Sequence, residues 1–419
     1  MEHMIGLTDT AYLGRVGEVE LGASALAGVY YLVIYMLGFG FSVGAQVLMA
    51  RRNGEGEYKR IGEVFTQGGL FLFLLAVLFT ASNLLTPYLL HRMIGSEEVY
   101  RATMSYLDWR VYGFFFSFIA VMFRAFYVST TNTKILTANS VVMVLTNVVL
   151  NYILIFGKFG FPALGIAGAA IASSISEAVS VLFFVIYTWK KIDYKKYGLF
   201  RFTRVDFRML GQILSVSIWV MIQHGIAFGG WFIFFIAMEH LGERPLAITN
   251  VVRSISSFLF MFVNAFASTN SSLVSNLIGA GESDRVLPLC RRMIGLCYAF
   301  VLPIGILIAM FPSTVLRIYT DNPDLIASSI PSLWVMLSSY LFAVPGFIYF
   351  FSVSGTGNTR RALEIDMASI FVYVLYILYV AVWLRADVAV CWTTEYVYNI
   401  MILSSFFYLW KGNWRNKKI

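Results

Sequence analysis

Asp9, Asn147 and Asn151 are the residues whose types and surroundings could carry ion chemistry. Each stands within an apolar run. A carboxylate at membrane depth costs at least about 2.5–3 kcal/mol and marks a functional position by default. Such an acid can load a proton on one side and release it on the other as its solvation changes. Asn147 and Asn151 are four residues apart and share one helix face. Their amides could bond the carboxylate or supply carbonyl oxygens to a cation; the competing role is interhelical hydrogen bonding. Further charges fall inside apolar runs: Arg110, Arg124, Glu177, Arg253 and Glu395. Glu177 reads either as an accessory proton site or as the partner of Arg124 or Arg110. Glu364 and Asp366, one turn from Arg360 and Arg361, read as structural acids at a helix start.

The elements that must position these groups are membrane helices. Of 419 residues, 59% are hydrophobic and 13% charged, against roughly 25% charged in a soluble domain. The mean hydropathy is +0.74, and a folded particle of this composition could not cover itself with polar surface. Runs long enough for the roughly 20 residues of a spanning helix lie at about 21–49, 62–90, 104–128, 135–156, 162–189, 209–238, 245–275, 287–311, 328–353, 362–384 and 387–410. The short apolar piece from Met1 to Tyr12 reads as the tail of a twelfth helix whose beginning is absent.

The formal net charge of +8 is explained by orientation. With the N-terminus in the cytoplasm, 21 of the 31 basic residues fall inside and seven outside, a strong positive-inside bias in short loops. Both termini are therefore expected in the cytoplasm, and no basic arm suggests nucleic acid. Three cysteines and four isolated histidines offer neither a disulfide framework nor metal-ligand spacing. With no GxxxxGK[ST] loop there is no ATPase chemistry. The chain reads as a non-enzyme without cofactors, and uphill work must draw on an H⁺ or Na⁺ gradient.

The sequence repeats itself. Leu13-Gly14 pairs with Leu241-Gly242, Gly54-Glu55-Gly56-Glu57 with Gly279-Ala280-Gly281-Glu282, and Asn132-Thr133-Lys134 with Asn358-Thr359-Arg360, at offsets of about 226. The expected organisation is an all-α polytopic membrane protein on a twelve-helix plan with a truncated first helix. Two pseudo-symmetric six-helix bundles would enclose a central cavity. The N-terminal bundle is expected at 1–189, a basic cytoplasmic linker at 190–208, the C-terminal bundle at 209–411 and a cytoplasmic tail at 412–419. At the repeat offset Asp9 meets Ala237, and Asn147 and Asn151 meet Tyr373 and Ile377. The first copy alone therefore carries this polar set. Aromatic faces attract organic cations, and Tyr30, Tyr340 and Tyr349 are candidate cavity residues.

The segments LTDTAYLGRVGEVELGASALAG, SVGAQVLMARRNGEGEYKRIGEVFTQG and NVVLNYILIFGKFGFPALGIAGAAIASSIS resemble the first half of multidrug and toxic compound extrusion (MATE) transporters. NSSLVSNLIGAGESDRV and SVSGTGNTRRAL resemble that family's repeat copies. The resemblance spans essentially the whole chain. It implies a secondary antiporter of the bacterial inner membrane, working as a monomer, that exports small amphipathic organic cations against inward proton or sodium flux. Ser173 and Tyr106 correspond to polar family positions and join Asp9, Asn147 and Asn151 as expected ion-coupling residues. No acid stands around Gln223, His224, Ala227 or Ala343, which favours the DinF-like branch. The rival within transport is a flippase for lipid-linked saccharides, whose pyrophosphate would demand cavity arginines; Arg110, Arg124 and Arg253 are the candidates.

Overall fold

The computed structural model describes residues 2–93, 96–201, 205–320, 322–412 and 414–415. In the first half run α1 (Glu2–Leu13), α2 (Glu18–Gly54), α3 (Tyr58–Ser82), α4 (Thr86–Met93), α5 (Glu97–Arg110), α6 (Gly113–Ser129), α7 (Lys134–Phe156) and α8 (Gly165–Lys191). The second half holds α9 (Phe207–Leu241), α10 (Glu243–Gly279), α11 (Val286–Met310), α12 (Pro312–Leu316), α13 (Pro323–Gly355), α14 (Thr359–Ile377), α15 (Val388–Trp392), α16 (Thr394–Leu403) and α17 (Ser405–Lys411). No strand occurs among the described residues. The chain divides into two compact units, Met1–Asn53 with Glu57–Ser217, and Gly54–Gly56 with Ile218–Ile419.

Among the described residues nine helices are long and apolar enough to cross a membrane, or ten with one bent pair counted as a span. The eleven uninterrupted runs read from the sequence are corrected at three places. The run at 62–90 stops at Ser82, and α4 follows as a separate helix. The run at 104–128 is the bent pair, α5 and α6 meeting at 51°. Its break falls between Arg110 and Gly113, where a side chain on Gly113 would collide with the Arg110 guanidinium and the Glu177 carboxylate. The run at 387–410 is cut into α15, α16 and α17. There Thr393 Oγ1 donates to the Val390 carbonyl and Thr394 Oγ1 to that of Cys391, at 2.5 and 2.6 Å, and such local bonds compete with the helix ladder.

In the first unit α7 has two distinct faces. Met143, Asn147, Asn151 and Leu154 are buried, whereas Val141, Leu145, Val149 and Tyr152, at helical spacing, are exposed as a lipid-facing stripe. Gly157 ends α7 in the left-handed conformation at φ 65°. The returning chain is then pinned by the Leu164 N–H on the Leu154 carbonyl at 2.9 Å. Helix α8 comes back along α7 with Ala169, Ala170, Ala172, Ser173, Ser176 and Ser180 buried. Small residues let membrane helices approach closely, and Asn139 Nδ2 crosses to Ser180 Oγ at 2.7 Å. In the second unit α10, α11, α13 and α14 pack around a core that includes Phe234, Leu259, Val344, Tyr373 and Trp392. Helix α14 ends in a π-helical turn at Leu378–Trp383.

The close approach of α7 and α8 is testable at Gly168, where a Cβ would lie 2.6 Å from the Leu154 carbonyl oxygen. Gly168→Val should destabilise the protein by about 1–3 kcal/mol, seen as a lower melting temperature in detergent. An unchanged melting temperature would mean the helices have room there.

Candidate functional site

Asp9, on α1, is 3% exposed and its carboxylate is surrounded by donors from three other helices. Asn151 and Asn147 on α7 donate their Nδ2 groups to Oδ1 at 2.8 and 3.3 Å. Ser173 on α8 and Tyr106 on α5 donate their hydroxyls to Oδ2 at 2.7 and 3.2 Å. The amides also bond one another, Asn151 Nδ2 to Asn147 Oδ1 at 3.2 Å, and Asn147 Nδ2 reaches Ser173 Oγ at 3.0 Å. The four other residues singled out from the sequence with Asp9 are thus brought onto its carboxylate. Leu13, Ala27, Tyr106, Ile155 and Ala170 belong to the apolar cluster in which these helices pack.

Four donors on two oxygens occupy the acceptor capacity of an ionised carboxylate. The two oxygens differ in kind. Oδ1 faces amide N–H groups, which can only donate, whereas Oδ2 faces hydroxyls, which can turn and accept. Asn151 Oδ1, also buried, has no hydrogen-bond partner.

Beside this carboxylate lies a second network. Arg110 on α5 grips Glu177 on α8 with both guanidinium ends, Nη1 to Oε2 at 2.9 Å and Nη2 to Oε1 at 2.7 Å. The two side chains are 3% and 1% exposed. Tyr31 on α2 donates to Glu177 Oε1 at 3.0 Å, and its ring lies 3.5 Å beneath the guanidinium carbon. The bidentate fork satisfies a buried charge that a single contact would leave costly. Glu177 therefore pairs with Arg110. Arg124 instead lies 4.8 Å over the Phe39 ring and donates to Gln46 at 3.4 Å. A cavity of about 260 Å³ within this unit is lined by Tyr35, Phe39, Ser117, Arg124, Met143 and Glu177 among others.

The candidate cavity tyrosines are placed elsewhere. Tyr30 bonds the Thr86 hydroxyl at 3.3 Å; Tyr340 is buried and donates to the Ser256 carbonyl at 2.7 Å; Tyr349 packs 5.1 Å from the Phe406 ring. Arg253 lies 5.0 Å over Phe235. The shared reading of Glu364 and Asp366 divides. Glu364 pairs with Arg360 and Arg361 at 3.4 and 2.7 Å on the surface, but Asp366 is 1% exposed and accepts from Tyr398 at 2.9 Å. Two residues further along the helix turn it inward, which the short sequence distance to the arginines concealed. The role of Tyr31 as an arm of the Glu177 network was also missed. Its signal was an Arg and a Glu both retained in apolar runs.

Residues 1–153 and 220–380 match the MatE family. The chain belongs to that family of transporters. A probable multidrug resistance protein NorM of Thermotoga maritima is 26% identical over 386 residues, 91% of this chain and 82% of that one. Another, of Synechocystis, is 28% identical over 324 residues, 76% and 69% of the two chains. Among solved structures, a MATE in the straight conformation superposes with a TM-score of 0.88 at 18% identity, covering 98% of this chain and 92% of that one. A MOP superfamily transporter from Pyrococcus furiosus gives 0.87 at 19%, covering 98% and 93%. At such identity these structures speak for the two-lobed MATE fold alone.

The buried pair of this MATE protein makes a double-mutant test. Glu177→Leu leaves Arg110 uncompensated and should cost about 3–5 kcal/mol, whereas adding Arg110→Met should restore most of the loss in thermal stability. Equal melting temperatures for the single and double variants would show that the pair is not coupled.

Proposed function

We propose that this chain is a secondary antiporter that exports organic cations in exchange for protons or sodium, with Asp9 as the coupling group. What supports this above all is the Asp9 cradle: a membrane carboxylate with two non-equivalent oxygens, held by three helices besides its own. Multidrug export enters from the relatives named NorM. The positive-inside bias favours both termini in the cytoplasm of a bacterial inner membrane, and the chain is taken to work as a monomer.

A proton arriving at Asp9 settles on Oδ2. There the Ser173 or Tyr106 hydroxyl can rotate from donor to acceptor, while at Oδ1 it would meet two amides that cannot accept. The neutral acid then holds the Asn147 and Asn151 amides more weakly, since bonds to an ionised partner are roughly twice as strong. Helix α1 is thereby freed to shift against α7 and α8. A sodium ion would use the same place differently, with the carboxylate, Ser173 Oγ and the unpaired Asn151 Oδ1 as oxygen ligands. One charge moving through 100 mV releases about 2.3 kcal/mol, equivalent to roughly a fiftyfold substrate gradient. Tyr35, Phe39 and Met143 along the 260 Å³ cavity supply the aromatic and thioether surfaces that accept organic cations.

Ethidium efflux from cells tests the reading. After a jump in external pH or sodium, Asp9→Asn should abolish gradient-driven export while leaving the protein in the membrane. Export at the parental rate would remove Asp9 from the coupling mechanism.

A further inference from the structure

At one end of the second unit the chain leaves α11, turns at Phe311 and forms α12, a helix of five residues opened by Pro312. Leu316 anchors this helix, buried in the same core cluster as Ile308 and Ile326. Ser313 and Arg317 are four residues apart and share one side of that turn. They open onto a cavity of about 510 Å³, whose other walls are Pro323, Ile326, Ala327 and Ile330 of α13. One cation and one hydroxyl thus stand over an apolar floor.

Among the described residues neither the Arg317 guanidinium nor the Ser313 hydroxyl has a hydrogen-bond, ion-pair or ring partner, and no acidic side chain lines the cavity. Arg244, which reaches the same end of α13, is different. Its Nη2 donates to the Asp324 carbonyl at 3.1 Å and to Ser328 Oγ at 2.6 Å. The first turn of α13 is likewise closed, because Asn322 Oδ1 accepts from the N–H groups of Asp324 and Leu325 at 3.0 and 3.3 Å. An anion in the cavity would therefore be held by the two side chains of α12.

The repeat shows that this corner departs from its counterpart. At the offset of 226, α4 corresponds to α12, and the helix caps Ser96 and Asn322 fall in register. In the first unit His91 of α4 and Tyr100 of α5 meet with ring centroids 5.1 Å apart. The same offset puts Arg317 and Ile326 at those two positions. An aromatic pair that bridges the helices in one copy is exchanged for a cation and an aliphatic side chain, which cannot close on each other.

The chemistry of the walls selects the ligand. A guanidinium presents a planar fork of donors that matches phosphate oxygens, and Ser313 adds a donor one turn away. Inorganic phosphate would leave the apolar floor unused, whereas a phosphodiester joined to hydrocarbon uses both parts. The surroundings supply a place for that hydrocarbon. Met310, Phe311 and Ile318 are exposed around α12, and Trp334, one turn beyond Ile330 on α13, is 52% exposed. Tyr319, beside Ile318, is exposed too, and tyrosine and tryptophan gather where membrane meets water.

We propose that the cavity between α12 and α13 binds an anionic phospholipid, its phosphodiester on Arg317 and Ser313 and one acyl chain along Ile326, Ile330 and Trp334. The positive-inside reading puts Arg317 on the outer side of the membrane, so the lipid belongs to the outer leaflet. Bound there, it ties the short α12 to α13.

Native mass spectrometry of the purified full-length chain, stripped of lipid in detergent and titrated with dioleoyl phosphatidylglycerol, tests this independently of transport. The parental chain should retain one lipid that Arg317→Ala binds about tenfold more weakly. Ala327→Trp, which fills the cavity and keeps the arginine, should lose the same lipid. Both positions are exposed, so both variants should remain monodisperse. Arg285→Ala removes an equal charge from a surface pair with Glu282 and should retain the lipid. Dioleoylglycerol, which lacks the phosphate, should not occupy the site, and inorganic phosphate at the lipid's concentration should not displace the lipid. The melting temperature should rise with phosphatidylglycerol in the parental chain and not in Arg317→Ala. Equal retention by the parental, Arg317→Ala and Ala327→Trp chains would overturn the proposal. So would an equal loss in Arg285→Ala, which would mean diffuse attraction, or displacement by inorganic phosphate, which would mean a site for the free anion.

Discussion

A carboxylate removed from water must be given hydrogen-bond donors or a positive charge, because nothing in the apolar interior replaces its hydration. The arrangement of the first unit follows from meeting that demand at Asp9. Donors arrive from α5, α7 and α8. This requires the two asparagines to share a face, and α8 to return close enough for Ser173 to reach the same oxygens. The left-handed Gly157 and the small-residue face of α8 are the local means. The Asp9 contacts, together with the apolar packing of Leu13, join α1, a helix of 12 residues, to the longer helices.

Arg110 and Glu177 meet the same demand by pairing with each other. Their ion pair sits at the bend between α5 and α6, where Gly113 leaves space for it. With Tyr31 stacked beneath the guanidinium, the pair joins α2, α5 and α8. The first unit thus contains one carboxylate satisfied by neutral donors and one neutralised by a cation. Only the former can change protonation without leaving an opposite charge stranded. That difference, more than depth or burial, which the two carboxylates share, is what supports the proposal of Asp9 rather than Glu177 as the coupling group. It also weighs against a lipid-pyrophosphate substrate, since Arg110 is already neutralised.

The two halves show how a duplicated sequence diverges within a common helical plan. Positions that carry Asn147 and Ser173 in one copy carry Tyr373 and Asn399 in the other. The second unit also interrupts its last membrane run where two threonine side chains bond back to the helix. Both copies keep polar groups where their fifth and sixth helices meet, while the first helix contributes an acid in only one of them.

Membrane character, the doubled architecture and the faces of α7 were legible in the sequence because they depend on composition and on helical periodicity, which are local properties. The five residues of the Asp9 cluster could also be named: Asp9, Asn147 and Asn151 because an isolated polar side chain in an apolar run has few roles, and Ser173 and Tyr106 because they correspond to polar family positions. Tertiary structure decided which partner each charge takes. Arg110 and Glu177 are 67 residues apart, and Ser173 stands 164 from Asp9. Whether such groups meet depends on the rotation and bending of separate helices, so Arg124 and Arg110 were equal candidates until the structure placed Arg110 on both oxygens of Glu177 and Arg124 over the Phe39 ring. Asp366 makes the same point: two residues beyond Glu364, it points to a different environment, because 100° per residue of helical rotation outweighs proximity along the chain.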